Sequence, residues 1–246
     1  MGTGLQAAGL PLGVPSPWWT LSHPEEVVAL HRAYLDAGAQ VLHANGFGAT
    51  PAQLGLGPQA CAELAARAVR LARRAGPSVV AGSLAPTGAW GAGGEGPAAG
   101  LSAHRDQGLA YLQAGADLLH LETQTSLDEA LAALDLLRGL GAGVPVWVSL
   151  TPRTTGGRAY SGEPLGEALS RLADAGAQAV GLNCSLGAQQ MAELARALPP
   201  GLPLLLRPQG TGADPAWARE LPGLCGVGGC CGATPGDIAG LLPLHT

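Results

Sequence analysis

Three cysteines carry most of the chemistry open to this 246-residue chain. Cys230 and Cys231 are adjacent in Gly228-Gly229-Cys230-Cys231-Gly232, and Cys184 stands in Gly181-Leu182-Asn183-Cys184-Ser185. Neighbouring cysteines reach the geometry of a mutual disulfide poorly. They can both ligate one soft metal ion where the backbone bends, and glycines on either side permit that bend. Zinc takes three or four ligands, so Cys184 is the natural third. These residues could thus form a three-thiolate zinc site with one open position. Paired cysteines in an apolar, glycine-rich run can also be buried small hydrophobes. No Cys-x-x-Cys pair is present to decide between the two readings.

Composition narrows the function classes. The length suits one large domain or two small ones, and 47% apolar residues allow a sizeable core. A net charge of −5 without a basic run argues against nucleic acid and anionic membrane as partners. The apolar runs 144–150 and 202–206 are too short to span a bilayer. No secretory signal is visible, and five cysteines, an odd number, then read as reduced cytoplasmic thiols. The chain contains no lysine, which excludes Schiff-base and pyridoxal-phosphate chemistry. It also lacks a Walker loop and a strand-following Gly-x-Gly-x-x-Gly.

The elements that must position the cysteines alternate strand and helix. Strands are predicted at 40–44, 79–83, 117–121, 144–150, 178–182, 203–206 and 225–229. Helices are predicted from His23-Pro24-Glu25 to Gly38, then at 58–75, 101–114, 126–140, 163–175, 188–198 and 235–241. Ser126, with Glu129 three residues on, is a candidate cap. Residues 1–13 are expected to hold little structure of their own. Three helices end in one phrase, Asp36-Ala37-Gly38-Ala39, Gln113-Ala114-Gly115-Ala116 and Asp174-Ala175-Gly176-Ala177, where glycine turns the chain into the next strand. This is one α/β domain over 1–246 of (β/α)8 TIM-type barrel class, with seven clear strands and the first truncated or missing. Parallel strands put their C-terminal ends on one face, so Asn45, Ser83, Glu122, Cys184, Cys230 and Cys231 should converge on one mouth.

On these residues the chain resembles the homocysteine S-methyltransferase family. Its Gly-x-Asn-Cys and Gly-Gly-Cys-Cys-Gly segments match 181–184 and 228–232. Supporting matches are Met1-Gly2-Thr3, Ala44-Asn45-Gly46-Phe47, Gly82-Ser83-Leu84-Ala85-Pro86-Thr87-Gly88, Glu122-Thr123 and Thr234-Pro235. The resemblance implies a homocysteine-binding barrel that holds zinc through Cys184, Cys230 and Cys231 and transfers a methyl group to the homocysteine thiol, giving methionine. It implies that Glu122 binds the substrate ammonium, that Asn45 lies near zinc or substrate, and that Ser83 and Thr123 are candidates for the substrate carboxylate. Each has a structural alternative, from helix capping to an Asx turn. His43 and His120 are metal ligands by type but read as core or loop histidines, and Cys61 and Cys225 as packing residues. The methyl donor could be S-methylmethionine, betaine or a separate methylcobalamin protein.

Three departures bear on function, one of them a segment between the family's strands seven and eight that is shorter than usual. The family's opening Asp-Gly, which helps hold the homocysteine amino group, is not found. Its Pro-Asn-x-Gly is here Pro208-Gln209-Gly210-Thr211-Gly212. They leave open a start upstream of Met1, a weakened or inactive zinc-binding barrel with a partner or regulatory role, and a methyltransferase for another thiol or selenol acceptor.

Overall fold

A computed structural model describes residues 1–91, 93–141, 143–153, 156–210, 215–219 and 221–242. Seven strands form one parallel sheet in chain order: β1 (Val41–His43), β2 (Val79–Leu84), β3 (Leu118–Gln124), β4 (Val146–Leu150), β5 (Ala179–Asn183), β6 (Leu204–Arg207) and β7 (Leu224–Val227). A helix returns the chain between most neighbours, and the sheet curls as a TIM-type barrel does but stays open between β1 and β7. No strand precedes β1 among the described residues. A cavity of about 230 Å³ lies along the open side, lined by His43, Arg207, Cys225 and Cys230 among others.

Side chains alternate across each strand. Leu119 and Leu121, Val146 and Val148, Val180 and Leu182, and Leu204 and Leu206 face the helices. There they join Ala65, Ala68, Leu134, Leu137, Leu169 and Leu172 in the main core. The alternate residues, His43, Ser83, His120, Glu122, Ser149, Asn183 and Arg207, face inward and bond to one another across the strands. The inner layer is therefore polar where barrels more often pack branched apolar chains. Gly181 permits the tight pairing of β5 with β6, since a Cβ there would lie 1.7 Å from the Leu205 carbonyl oxygen.

The helix-end glycines behave as their phrase predicts: Gly38, Gly115 and Gly176 have φ of +94°, +89° and +95°. Ser126 caps the helix Leu127–Gly139 by accepting from the Glu129 N–H at 3.2 Å. Glu129 does not complete a capping box. Its carboxylate is buried and accepts instead from the Thr87 N–H and hydroxyl, both at 2.7 Å, and lies 3.2 Å from His104 Nε2.

Three expectations need correction. Residues 2–7 form a helix, held by Leu5, which is fully buried against Trp19, Val27, Val28 and Leu71. Tertiary packing overrides two glycines of low helix propensity. The helix expected at 101–114 begins at Pro97, because proline is well placed in a first helical turn. Cys225 is exposed and not a packing residue, because β7 is an edge strand. Cys61 is buried as expected.

Candidate metal centre and substrate pocket

Backbone pairing brings the two cysteine segments together. The Cys184 N–H donates to the Arg207 carbonyl at 3.0 Å, and the Cys230 N–H to the Pro208 carbonyl at 2.8 Å. The Gly210 N–H donates to the Cys231 carbonyl at 3.1 Å, and the Gln209 N–H to the Leu186 carbonyl at 2.8 Å. The segment after β6 thus splices the end of β5 to the end of β7. Thr211 and Gly212, part of the altered family segment, lie outside the described residues. Cys184 and Ser185 both adopt φ of +63°, a left-handed conformation that non-glycine residues hold only under external constraint. Three residues past Cys231, Thr234 and Asp237 form a capping box that starts the helix Pro235–Leu241 and fixes the far side of the loop.

The three sulfurs lie within 4.8 Å of one another, and Cys184 Sγ is 3.7 Å from Cys231 Sγ. That is too long for a disulfide. Two Zn–S bonds of about 2.3 Å at a tetrahedral angle put sulfurs about 3.8 Å apart. The donor set therefore fits zinc, with three thiols converging. The charge distribution agrees. The S–H groups of Cys230 and Cys231 hold the Cys184 thiol far below the usual thiol range. Sharing with Cys184 pushes both partners up. Gln209 Nε2, 3.7 Å from Cys184 Sγ, and Asn183 Nδ2, 3.5 Å from Cys230 Sγ, point donors at the sulfurs.

Asn183 links this centre to the buried polar layer. Its Oδ1 accepts from the Thr123 N–H at 2.8 Å and the Ser149 hydroxyl at 2.7 Å, and its Nδ2 donates to Thr123 Oγ1 at 2.7 Å. These bonds fix the amide orientation, because a backbone N–H can only donate. Ser149 spends its one proton on Asn183, so His120 Nε2, 2.9 Å away, must donate to Ser149. His120 Nδ1 lies 2.8 Å from His43 Nε2, which Arg207 Nη1 also faces at 3.4 Å. Both rings are neutral. Burial pushes His120 down to about 3, and burial with the Arg207 charge holds His43 well below its usual value.

Glu122 and Arg207 are the charged pair in this layer. Arg207 Nη1 donates to Glu122 Oε2 at 2.6 Å, and the Ser83 hydroxyl donates to Glu122 Oε1. The side chains of Arg207 and Glu122 are 13% and 8% exposed, which makes this a buried ion pair. Burial raises the Glu122 carboxyl most strongly, but Arg207, the two histidines and the Ser83 hydrogen bond together outweigh it and leave the group below the usual carboxylate range. Burial also opposes the charge on Arg207, and Glu122 with the nearby Cys230 and Cys184 together more than offset it. The nitrogens of His43 and His120 and a Glu122 oxygen also gather within 4.8 Å. That trio suits a cation badly, because the guanidinium bonds to the same carboxylate and each histidine is committed to the proton chain.

The family profile described as Homocysteine S-methyltransferase matches residues 1–242. The chain belongs to the homocysteine S-methyltransferase family. It is 31% identical to the Homocysteine S-methyltransferase of Escherichia coli, over 98% of this chain and 92% of that protein. The metallated crystal structure of the E. coli homocysteine methyltransferase MmuM superposes with a TM-score of 0.85 at 31% identity, covering 98% of this chain and 92% of that one. The chain is also 31% identical to the Methionine synthase of Mycobacterium tuberculosis over 97% of its own length. It spans only about a fifth of the curated mycobacterial methionine synthases it matches, 21% and 23% of them.

Within this family member, the structure gathers Cys184, Cys230 and Cys231 into one cluster. Glu122 and Ser83 share a hydrogen bond in the layer beneath, and Thr123 joins that layer through Asn183, at φ +59°. Asn45 stands apart from this chain of bonds. Its Nδ2 donates to the Ser16 carbonyl at 2.8 Å and Thr20 Oγ1 at 3.2 Å, which fastens the N-terminal segment to the β1 loop. Sequence reasoning missed Arg207 and Ser149. Arginine at the end of an otherwise apolar strand was the available signal, because such a charge is buried only with a partner.

Proposed function

We propose that this chain is a zinc-dependent methyltransferase that moves a methyl group from a small donor to the thiol of homocysteine, giving methionine. The observation that carries this reading is the convergence of three thiols, spaced as zinc requires, above a buried carboxylate. Cys184, Cys230 and Cys231 would hold the ion. Bound zinc would supply a homocysteine sulfur that is deprotonated and electron-rich at neutral pH. The protein's own groups do the positioning. Asn183 and Gln209 aim amide donors at Cys230 and Cys184 and spread the thiolate charge. Thr123 and Ser149 lock Asn183 in orientation. Glu122 offers a carboxylate to the substrate ammonium, with Ser83 steadying its second oxygen. Transfer is in-line: a sulfur lone pair forms the S–CH3 bond while the donor's heteroatom, or cobalt in the case of methylcobalamin, leaves with the old bonding pair. No general base acts in that step, and orientation supplies the catalysis.

Relatives described as S-methylmethionine–homocysteine and betaine–homocysteine methyltransferases support a small onium donor. A separate methylcobalamin protein is the further option, supported by the likeness to methionine synthases. Among the described residues no helix is long and apolar enough to cross a membrane. Three unpaired thiols this close persist in a reducing compartment, which supports a cytoplasmic setting.

The test is metal content and turnover. Protein purified under reducing conditions with added zinc should carry one ion per chain, and Cys230→Ser should lose it. Uptake should release protons from the cysteine thiols, read by calorimetry in buffers of different ionisation enthalpy. The zinc-loaded protein should then form methionine from homocysteine with one of the three donors. Metal-supplemented, fully reduced protein that binds no zinc would overturn the reading.

A further inference from the structure

The Glu122–Arg207 pair creates a difficulty for ammonium binding by Glu122. Both carboxylate oxygens already have partners, Ser83 on one and Arg207 on the other. An incoming ammonium must displace the guanidinium. A displaced guanidinium left alone in this layer would be a buried, uncompensated charge, which is strongly unfavourable. The difficulty resolves if the ligand brings an anion for Arg207 along with the cation for Glu122.

We propose that Arg207 and Glu122 are a pair that opens to receive the two ends of an α-amino acid head group, Arg207 taking the α-carboxylate and Glu122 the α-ammonium. This rests on the reading of the site as one for homocysteine. It adds a specificity residue, Arg207, that the family motifs do not include.

Position supports the assignment. Arg207 ends β6, one strand from β5, which ends at Asn183 just before Cys184, and its carbonyl receives the Cys184 N–H. Its Nε donates to the Gly229 carbonyl at 3.3 Å, the residue before Cys230. A head group attached to a sulfur at the thiol cluster is thus presented to this guanidinium. The chemistry supports it as well. A guanidinium has five N–H donors in a planar fork that matches a carboxylate, and the hydrogen bonds to Glu122 and Gly229 run through Nη1 and Nε alone. Exchange of one ion pair for two keeps every buried charge matched. In the free protein each charge of the pair has the other as its partner, so neither waits unpaired for the ligand.

The exchange makes both ends of the head group matter, and a set of three thiols reads them separately. Homocysteine has both charges, 4-mercaptobutyrate lacks the ammonium, and 3-mercaptopropylamine lacks the carboxylate. Titration calorimetry on zinc-loaded wild type should show homocysteine binding at least about tenfold more tightly than either. In Arg207→Gln the preference for homocysteine over 3-mercaptopropylamine should fall by about tenfold or more, and Arg207→Lys should restore part of it. Glu122→Gln should instead erode the preference over 4-mercaptobutyrate. Each variant is read only with zinc content and circular dichroism matching wild type. Arg207→Lys, which keeps the charge, and the wild-type series stand if the neutral variants fail to fold. Equal affinity of wild type for homocysteine and 3-mercaptopropylamine would overturn the assignment, as would an unchanged ratio in Arg207→Gln. If wild type binds homocysteine but the ratios do not move, only the head-group assignment falls. If zinc-loaded wild type binds none of the thiols, the homocysteine reading falls and takes this assignment with it.

Discussion

Two glutamates are buried among the described residues, and they are buried against different kinds of partner. Glu129 is 2% exposed and Glu122 is 6% exposed. Glu129 lies between the helices Pro97–Gln113 and Leu127–Gly139, where one oxygen gathers the Thr87 N–H, the Thr87 hydroxyl and His104. Its donors belong to the scaffold, so it clasps the loop after β2 to two helices. Glu122 lies in the inner layer, and its principal partner is the charged end of one long side chain. A side-chain cation can be exchanged for a ligand's cation, whereas a backbone N–H in a packed loop cannot. Burial alone does not mark a carboxylate as functional; whether its partner can be traded does.

The largest effect should come from removing one half of the exchangeable pair. Arg207→Leu leaves Glu122 buried without its cation and should lower stability by about 3–5 kcal/mol. Adding Glu122→Leu to Arg207→Leu should recover most of that loss, since a buried pair replaced by apolar residues is often nearly neutral. Urea unfolding of wild type, both singles and the double gives the coupling. If the double is as unstable as the sum of the singles, the two residues are not acting as a pair and the contrast with Glu129 fails.

The clasp should respond in stability and leave ligand discrimination alone. Glu129→Gln exchanges a charged acceptor for an amide at a site full of donors and should lose about 1–3 kcal/mol. It should take up metal as wild type does and keep the wild-type order of preference among thiols. The carboxyl of Glu129 is held below its ordinary value, because the bonds from His104 and Thr87 outweigh the effect of burial. Its contribution is therefore complete above the unfolded value of about 4.3 and is lost as pH falls through the lower folded value. Acid unfolding of Glu129→Gln should be less steep over that range than wild type. An identical acid limb in the two proteins would show that Glu129 is not titrating with the fold.

Much of this contrast could be read before the structure, and the unreadable part has a physical cause. The seven strands, the glycine-ended helices and the three cysteines were legible because each is encoded locally, by a run of apolar residues, a positive-φ turn or an adjacent pair of thiols. Ser126 was legible as a cap for the same reason. Arg207 and Ser149 were not, because their meaning comes from register: Asn183 pairs with Arg207 across β5 and β6, and Ser149 with Gly181 across β4 and β5. The helix 2–7 was missed because it depends on burying Leu5 among residues 14 to 66 positions away. Glu129 matched a capping-box pattern, yet its carboxylate turns from Ser126 to Thr87, 42 residues earlier in the chain. Local pattern gave the helix start correctly and the partner of the side chain incorrectly.

The smallest and most discriminating test lies in Thr87 itself. Two of its groups reach Glu129, the N–H and the hydroxyl, at the same distance of 2.7 Å. Thr87→Val keeps the shape and the N–H and deletes only the hydroxyl donor. If the clasp is built from scaffold donors, the remaining N–H and His104 still hold the carboxylate, and the loss should be about 1 kcal/mol. It should be smaller than for Glu129→Gln in the same thermal or urea unfolding assay. A loss for Thr87→Val as large as that for Glu129→Gln would mean that the hydroxyl alone carries the clasp. Glu129 would then depend on a single exchangeable side chain, much as Glu122 does on Arg207, and the distinction between the two buried carboxylates would disappear.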